Sequence, residues 1–298
     1  IKSGLTTSTE ATFSYGVQTG NGGIVLENTS SITGNMYSNG PVSGSGSNLI
    51  SGTVISAGPT GSISGISAGA SAYAHTISSS NVAGDAYYQV KTGTTVSGTS
   101  YPGSTDQATS SLPVSDEMIT QFEADAAAGG TFSTPCTIST NTTWATGRKM
   151  TCSTLTITGG TLTLSGPVWV TGNILISNTA RIKVATALGA QSTGFIADNT
   201  SNRTTSSKIN VSNNVVFTGS GTPGSYVLLL SQNNSAELGG GERAIQLDNS
   251  PTGDILLYAS HGEVQIANSA ALKEVTAYRV RLKNSANVTY ASGLANTL

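Results

Sequence analysis

The chain has 298 residues, only 9% of them charged, with 36 glycines and a formal net charge of −2. So few charges leave no global field to hold nucleic acid or an anionic membrane. With 37% hydrophobic residues the chain is too apolar for simple disorder, and its surface must be built from hydroxyls and amides.

Residues 1–104 carry a repeat. Ile32-Thr33-Gly34-Asn35-Met36-Tyr37 aligns with Ile50-Ser51-Gly52-Thr53-Val54-Ile55, with Val82-Ala83-Gly84-Asp85-Ala86-Tyr87 and with Val96-Ser97-Gly98-Thr99-Ser100-Tyr101. Ile63-Ser64-Gly65 reads as a degenerate fifth copy. Gly40-Pro41 and Gly58-Pro59 punctuate the first two copies as corners. Each unit is a short strand that cannot bury its inner face alone, so the units must stack.

Residues 105–130 break the pattern with a polar link and a helix near 115–128. Ser115 is the N-cap, Asp116 and Glu117 lie in the first turn, and Gly129-Gly130 is the stop. Ile119, Phe122 and Ala126 form a narrow apolar stripe, which suits a helix lying on the outside of a rod or bridging its halves.

In residues 131–298 strands resume and alternate strictly, as in Thr154-Leu155-Thr156-Ile157-Thr158 and Thr161-Leu162-Thr163-Leu164. Asn tolerates the left-handed backbone of a tight corner, and Asn178, Asn213, Asn249, Asn268 and Asn284 each close a strand. The last three are one coil apart; the steps Asn178 to Asn213 to Asn249 read as two coils each. Together these features predict an all-β chain, a right-handed parallel β-helix (β-solenoid) with coils of about 18 residues. Its organisation is 1–104 with Gly and Gly-Pro corners, 105–130 as link and helix, and 131–298 with Asn corners. The Asn residues are expected to form a structural corner ladder rather than a binding site.

Cys136 and Cys152 have no CxxC pattern and no nearby His, which favours a structural disulfide, placed with the helix at the junction of the two halves, over two buried thiols. A disulfide points to an oxidising compartment, so the chain is expected outside the cell or on its surface.

Few residues suggest chemistry. β-Helical polysaccharide lyases and hydrolases need converging carboxylates. The nominees here are Asp198, Asp248, Asp254 and Glu263, with His261 beside the last, but they are scattered among corners and loops. Lys273, Arg279, Arg281 and Lys283 alternate along one strand and read as a solvated face rather than a nucleic-acid site. Thr154, Thr156, Thr158, Thr161 and Thr163 form the one Thr array, a ligand face for glycan or ice if the rows persist, and otherwise good solvent-facing strand residues. No Walker or HExxH pattern and no calcium nonapeptide occurs, so no metal or cofactor is nominated.

The runs SGPVWVTGNILISNTARIKV (165–184), GSGTPGSYVLLLSQNNSAE (219–237) and the stretch 253–294 resemble extracellular β-helix surface proteins of the pilin-like or PilX-like type from uncultivated bacteria. GNMYSNGPVSG (34–44) and GTVISAGPTGS (52–62) resemble the polymer-forming, bactofilin-type repeat. The expected function is a non-enzymatic, secreted or cell-surface structural subunit of a filament, pilus-like appendage or surface layer, or an adhesin. Its expected partners are further copies, other surface components or glycans. The resemblance implies membrane attachment only through an N-terminal helix that this sequence lacks. The alternatives are a carbohydrate-active β-helix enzyme and a non-catalytic glycan- or ice-binding solenoid.

Overall fold

The computed structural model describes residues 15–290. Residues 1–14 and 291–298, assigned above to the two halves, lie outside that range. The chain is a parallel β-solenoid with three faces. Alternation sets it up: in Thr161–Leu164 and Arg181–Val184 the residues at one parity, Leu162, Leu164, Ile182 and Val184, are fully buried. The other parity faces solvent, and each coil hydrogen-bonds to the next. Two faces share one sheet of 22 strands, because Val17–Glu27, Ile255–Ala267 and Glu274–Lys283 run unbroken round a corner. The third face has 12 short strands, one per coil, giving a rod of roughly 55 Å.

The order of those 12 strands is not the order of the chain. Along the rod they run Thr95–Val96, Asn81–Val82, Ser67–Ala68, Leu49–Ile50, Ser31–Thr33, then Asn287–Thr289, Ala271–Leu272, Thr252–Gly253, Val216–Thr218, Arg181–Val184, Thr161–Leu164 and Thr142–Trp144. The described chain therefore starts at the waist of the rod and winds out to one end. It crosses along the outside to the other end and winds back until its last coil stacks on its first. At the seam Val17–Glu27 pairs with Glu274–Lys283, from Val17↔Val275 to Leu26↔Leu282.

The crossing segment is a strap on one face, bonded to the coils it passes in descending order. Gln89 Nε2 donates to the Ser104 carbonyl (2.6 Å), His75 meets Asp106 (3.0 Å), and the Gly58 amide donates to the Gln107 carbonyl (2.8 Å). Tyr37 then donates to the Ala108 carbonyl, Asn39 Nδ2 to that of Ser110 (2.7 Å), Gln18 Nε2 to that of Ser111 (3.0 Å) and Tyr258 to that of Val114. The helix Asp116–Ala128 continues the strap, capped by the Ser115 side chain on the Met118 amide (3.3 Å). Ile119 and Val114 pack with Ile196, Leu228, Leu230, Leu256 and Tyr258 in a second apolar cluster outside the coil core. Burial inside and outside explains why Val227–Ser231 is buried at every position.

Four expectations are corrected. Asn213 pairs directly with Asn178, and Asn249 with Asn213, so steps of 35 and 36 residues are one coil each, enlarged by insertions. Coils elsewhere are not uniform: steps of 18, 19 and 20 residues occur, and the last N-terminal coils shrink to 14. The fifth N-terminal copy is Ala68-Gly69-Ala70-Ser71-Ala72-Tyr73, since Ala68 lies between Ile50 and Val82; Ile63 sits on another face, between Val42 and Ile77. Finally, the Cys136–Cys152 disulfide (Cα–Cα 5.8 Å) is not beside the meeting of the two halves but ties the far terminal coil to its neighbour.

Candidate functional site

The corner Asn residues form a continuous side-chain ladder. Asn28 Nδ2 donates to Asn284 Oδ1 (3.1 Å), Asn284 to Asn268 (3.1 Å), Asn268 to Asn249 (3.5 Å), Asn249 to Asn213 (3.2 Å) and Asn213 to Asn178 (3.3 Å). Each Asn and the residue after it have positive φ, from 50° to 65°, where Asn is among the few side chains accommodated. The side-chain amides of Asn284, Asn268, Asn249 and Asn213 are each engaged with the coils on either side, which is an architectural role.

The nominated carboxylates do not converge. Asp198 is fully buried under the helix, held bidentately by Arg203 (2.8 and 2.7 Å) and facing Glu123. Asp248 accepts from Gln246, and Asp254 from the Gly219 amide (3.3 Å). Glu263 lies at the waist among Arg279 (2.5 Å), Arg281 (3.6 Å) and Arg243 (3.8 Å). Arg281 also reaches Glu27 across the seam (2.6 Å), so the basic strand residues Arg279 and Arg281 are neutralised within a belt of ion pairs. His261 sits between Glu237 (2.6 Å) and Asp116 (3.1 Å), joining the helix start to a loop. Burial disfavours its protonation, but the hydrogen bonds to Glu237 and Asp116 outweigh it and raise its pKa. Glu123 is pushed up to about 8, first by burial and then by the Asp198 carboxylate. Both groups therefore act as fasteners of the helix.

The Thr array divides between two faces. Thr154 and Thr156 lie on the belt face, next to Asn173 and Leu175, with Thr158 at the following corner. Thr161 and Thr163 lie on the 12-strand face, where the next coil substitutes Arg181 and Lys183. Thr rows thus stop after one or two coils.

A different surface has the regularity that this array lacks. On the same 12-strand face, toward the N-terminal end, one outward row runs Asn287, Ser31, Leu49, Ser67, Asn81, Thr95. Beside it runs Thr289, Thr33, Ser51, Gly69, Ala83, Ser97. These two rows span six coils without a charge or an aromatic ring. Neither strap nor helix covers them, and Leu49 is 47% exposed at their centre. The sequence carries a trace of this face that repeat-spotting passes over: residues 28–84 contain no Asp, Glu, Lys or Arg.

One groove of about 540 Å³ lies between the helix and an inserted turn, lined by Phe122, Asp125, Pro167, Leu188, Phe195 and Leu228. Among the described residues no group of three or more His, Cys, Asp or Glu side chains is placed to hold a metal ion. No helix there is long and apolar enough to cross a membrane.

Coils, ladders and strap define a parallel β-solenoid whose chain is spliced at the waist. Comparison with protein-family models, with curated proteins and with solved structures finds no match to this chain.

Proposed function

We propose that this protein is a non-catalytic, secreted or cell-surface structural rod that adheres through its uncharged 12-strand face to an extended neutral surface, an uncharged polysaccharide. The observation that carries this reading is the pair of outward rows on six successive coils, polar but without charge, on the one face that the strap and the ion-pair belt leave open. A rigid flat array loses little conformational entropy on contact, and many weak hydroxyl contacts add up when the partner repeats. The disulfide supports an oxidising location. The nominated carboxylates each have a structural partner, which favours this reading over a carbohydrate-active enzyme.

Cosedimentation with insoluble cellulose and chitin tests the proposal. Binding should be salt-insensitive and should be lost in Ser67→Lys and Asn81→Lys, which place bulk and charge on the open face. Thr156→Lys, on the belt face, should bind as the parent does. Equal loss in all three variants, or no binding to any neutral glycan, would reject the reading; inhibition of ice growth through the same two positions would replace glycan by ice.

A further inference from the structure

A solenoid stacks on itself by nature, so each end of the rod is a template for another copy. Among the described residues, five large hydrophobic side chains are exposed; of these, Val90 and Tyr101 lie at one end and Phe132 at the other. Each terminal coil offers one strand per face, Ser100–Pro102, Val90–Thr92 and Thr95–Val96 against Thr131–Phe132, Thr137–Ile138 and Thr142–Trp144. The stack would be head to tail, a heterologous contact that never closes and so grows without limit.

Both ends carry a cation where the core pattern requires an apolar residue. Lys91 occupies the inward row of Ile63 and Ile77, both fully buried, and pairs directly with Ile77. Its amine turns across the end of the core, 5.5 Å from the Tyr88 ring centroid and 3.3 Å from Ser100 Oγ. Toward the other end, in the coil beneath the terminal one, Arg148 has the parity of fully buried Met150 and pairs with fully buried Val168. Its guanidinium stacks over Phe132 (4.9 Å) and Trp144 (4.5 Å), and its Nε is buried without a hydrogen-bond partner. Inward-pointing charges are one means by which β proteins blunt an edge.

We infer that Lys91 and Arg148 are end plugs that keep a second copy of this chain from stacking coil on coil, so that the protein persists as single rods. In a head-to-tail contact Lys91 of one copy would continue the inward row of Ile174 and Leu155 of the next. Arg148 of that copy lies one coil in, in the row of the adjoining face, so both cations are enclosed near one junction. Two cations would then lose water on opposite sides of one junction with no anion between them, a repulsive and desolvating arrangement. Polymer growth is thereby blocked at both ends by the same pair. The inference is independent of what the open face binds.

Sedimentation velocity and electron microscopy of the whole chain test it, with circular dichroism and thermal unfolding to verify the fold. The parent should remain a single species as concentration rises. Lys91→Leu should associate into chains that lengthen with concentration. Lys91→Glu should associate as well, more strongly at low salt, because it replaces one of the two cations at the junction by an anion; Lys91→Arg should stay single. Lys91 lies at an exposed terminal coil, so these variants test the idea even if Arg148→Leu fails to fold. Parent rods that already form chains, or folded Lys91→Leu and Lys91→Glu rods that stay single, would overturn the inference.

Discussion

Asn28 and Asn284, 256 residues apart, share a hydrogen bond of 3.1 Å, and the residues that follow them, Thr29 and Ser285, share another of 3.0 Å. This contact carries the corner ladder across the seam between the first coil and the last. The rod therefore has no break at the waist, although no peptide bond crosses it there.

Replacing Asn284 by Ala removes two ladder bonds and leaves a Cβ residue at φ 54° without the compensation Asn provides. A cost of about 1–2 kcal/mol is expected. Asn284→Gly keeps the left-handed corner and should cost less. Denaturant titration of both variants measures the difference, and the glycan binding proposed for the open face should survive in each at temperatures where the variant stays folded.

Reducing the Cys136–Cys152 bond, or replacing both residues by Ser, should destabilise the terminal coil by about 3 kcal/mol. Because the bond links only the last coil to its neighbour, hydrogen exchange should accelerate across residues 131–147 and remain slow at the waist. Uniform acceleration through the whole rod would show that the coils unfold as one unit.

Tyr258 is fully buried and donates its hydroxyl to the Val114 carbonyl, the last strap contact before the helix. Tyr258→Phe leaves that carbonyl without its partner at a cost of about 1–3 kcal/mol. Limited proteolysis should then cut within residues 104–115 sooner than in the parent.

Two helix fasteners weaken in the same pH direction. Glu123 has its folded pKa raised to about 8, and that of His261 is raised also. A raised folded pKa means that the folded state holds the proton more tightly. The stabilisation is therefore complete below the unfolded values, near 4.3 for Glu and 6.5 for His, and is lost as pH climbs through the folded ones. Stability should decline from mildly acidic pH to about pH 8, and Glu123→Gln should flatten much of that slope. Chemical denaturation at a series of pH values reads this directly; an unchanged slope would remove Glu123 from the account.

Much of the rung was legible in the residues. Alternation at Thr154–Ile157 and Thr161–Leu164 specifies strands, Ser115 and Gly129 bound the helix, and Asn at 249, 268 and 284 marks corners one coil apart. The 35- and 36-residue steps misled because two insertions that leave the sheet, such as 185–192 and 198–208, together add the length of a coil without forming one. The open face was harder to find, since Ser, Gly, Ala and Asn in register across six coils share no motif. Their common property is the lack of charge. Lys91 and Arg148 are visible as inward cations only once the register is known.

The sequence by itself determined the alternation of the regular strands, the Asn corners and the helix, because these depend on residues a few positions apart. Tertiary structure alone decided which coil lies on which. Nearly identical rungs stack equally well in many orders, so local pattern holds no information about sequence in the stack. That order follows from contacts hundreds of residues apart: the Asn28–Asn284 bond, the Arg281–Glu27 ion pair and the strap that returns the chain to the far end before it winds home.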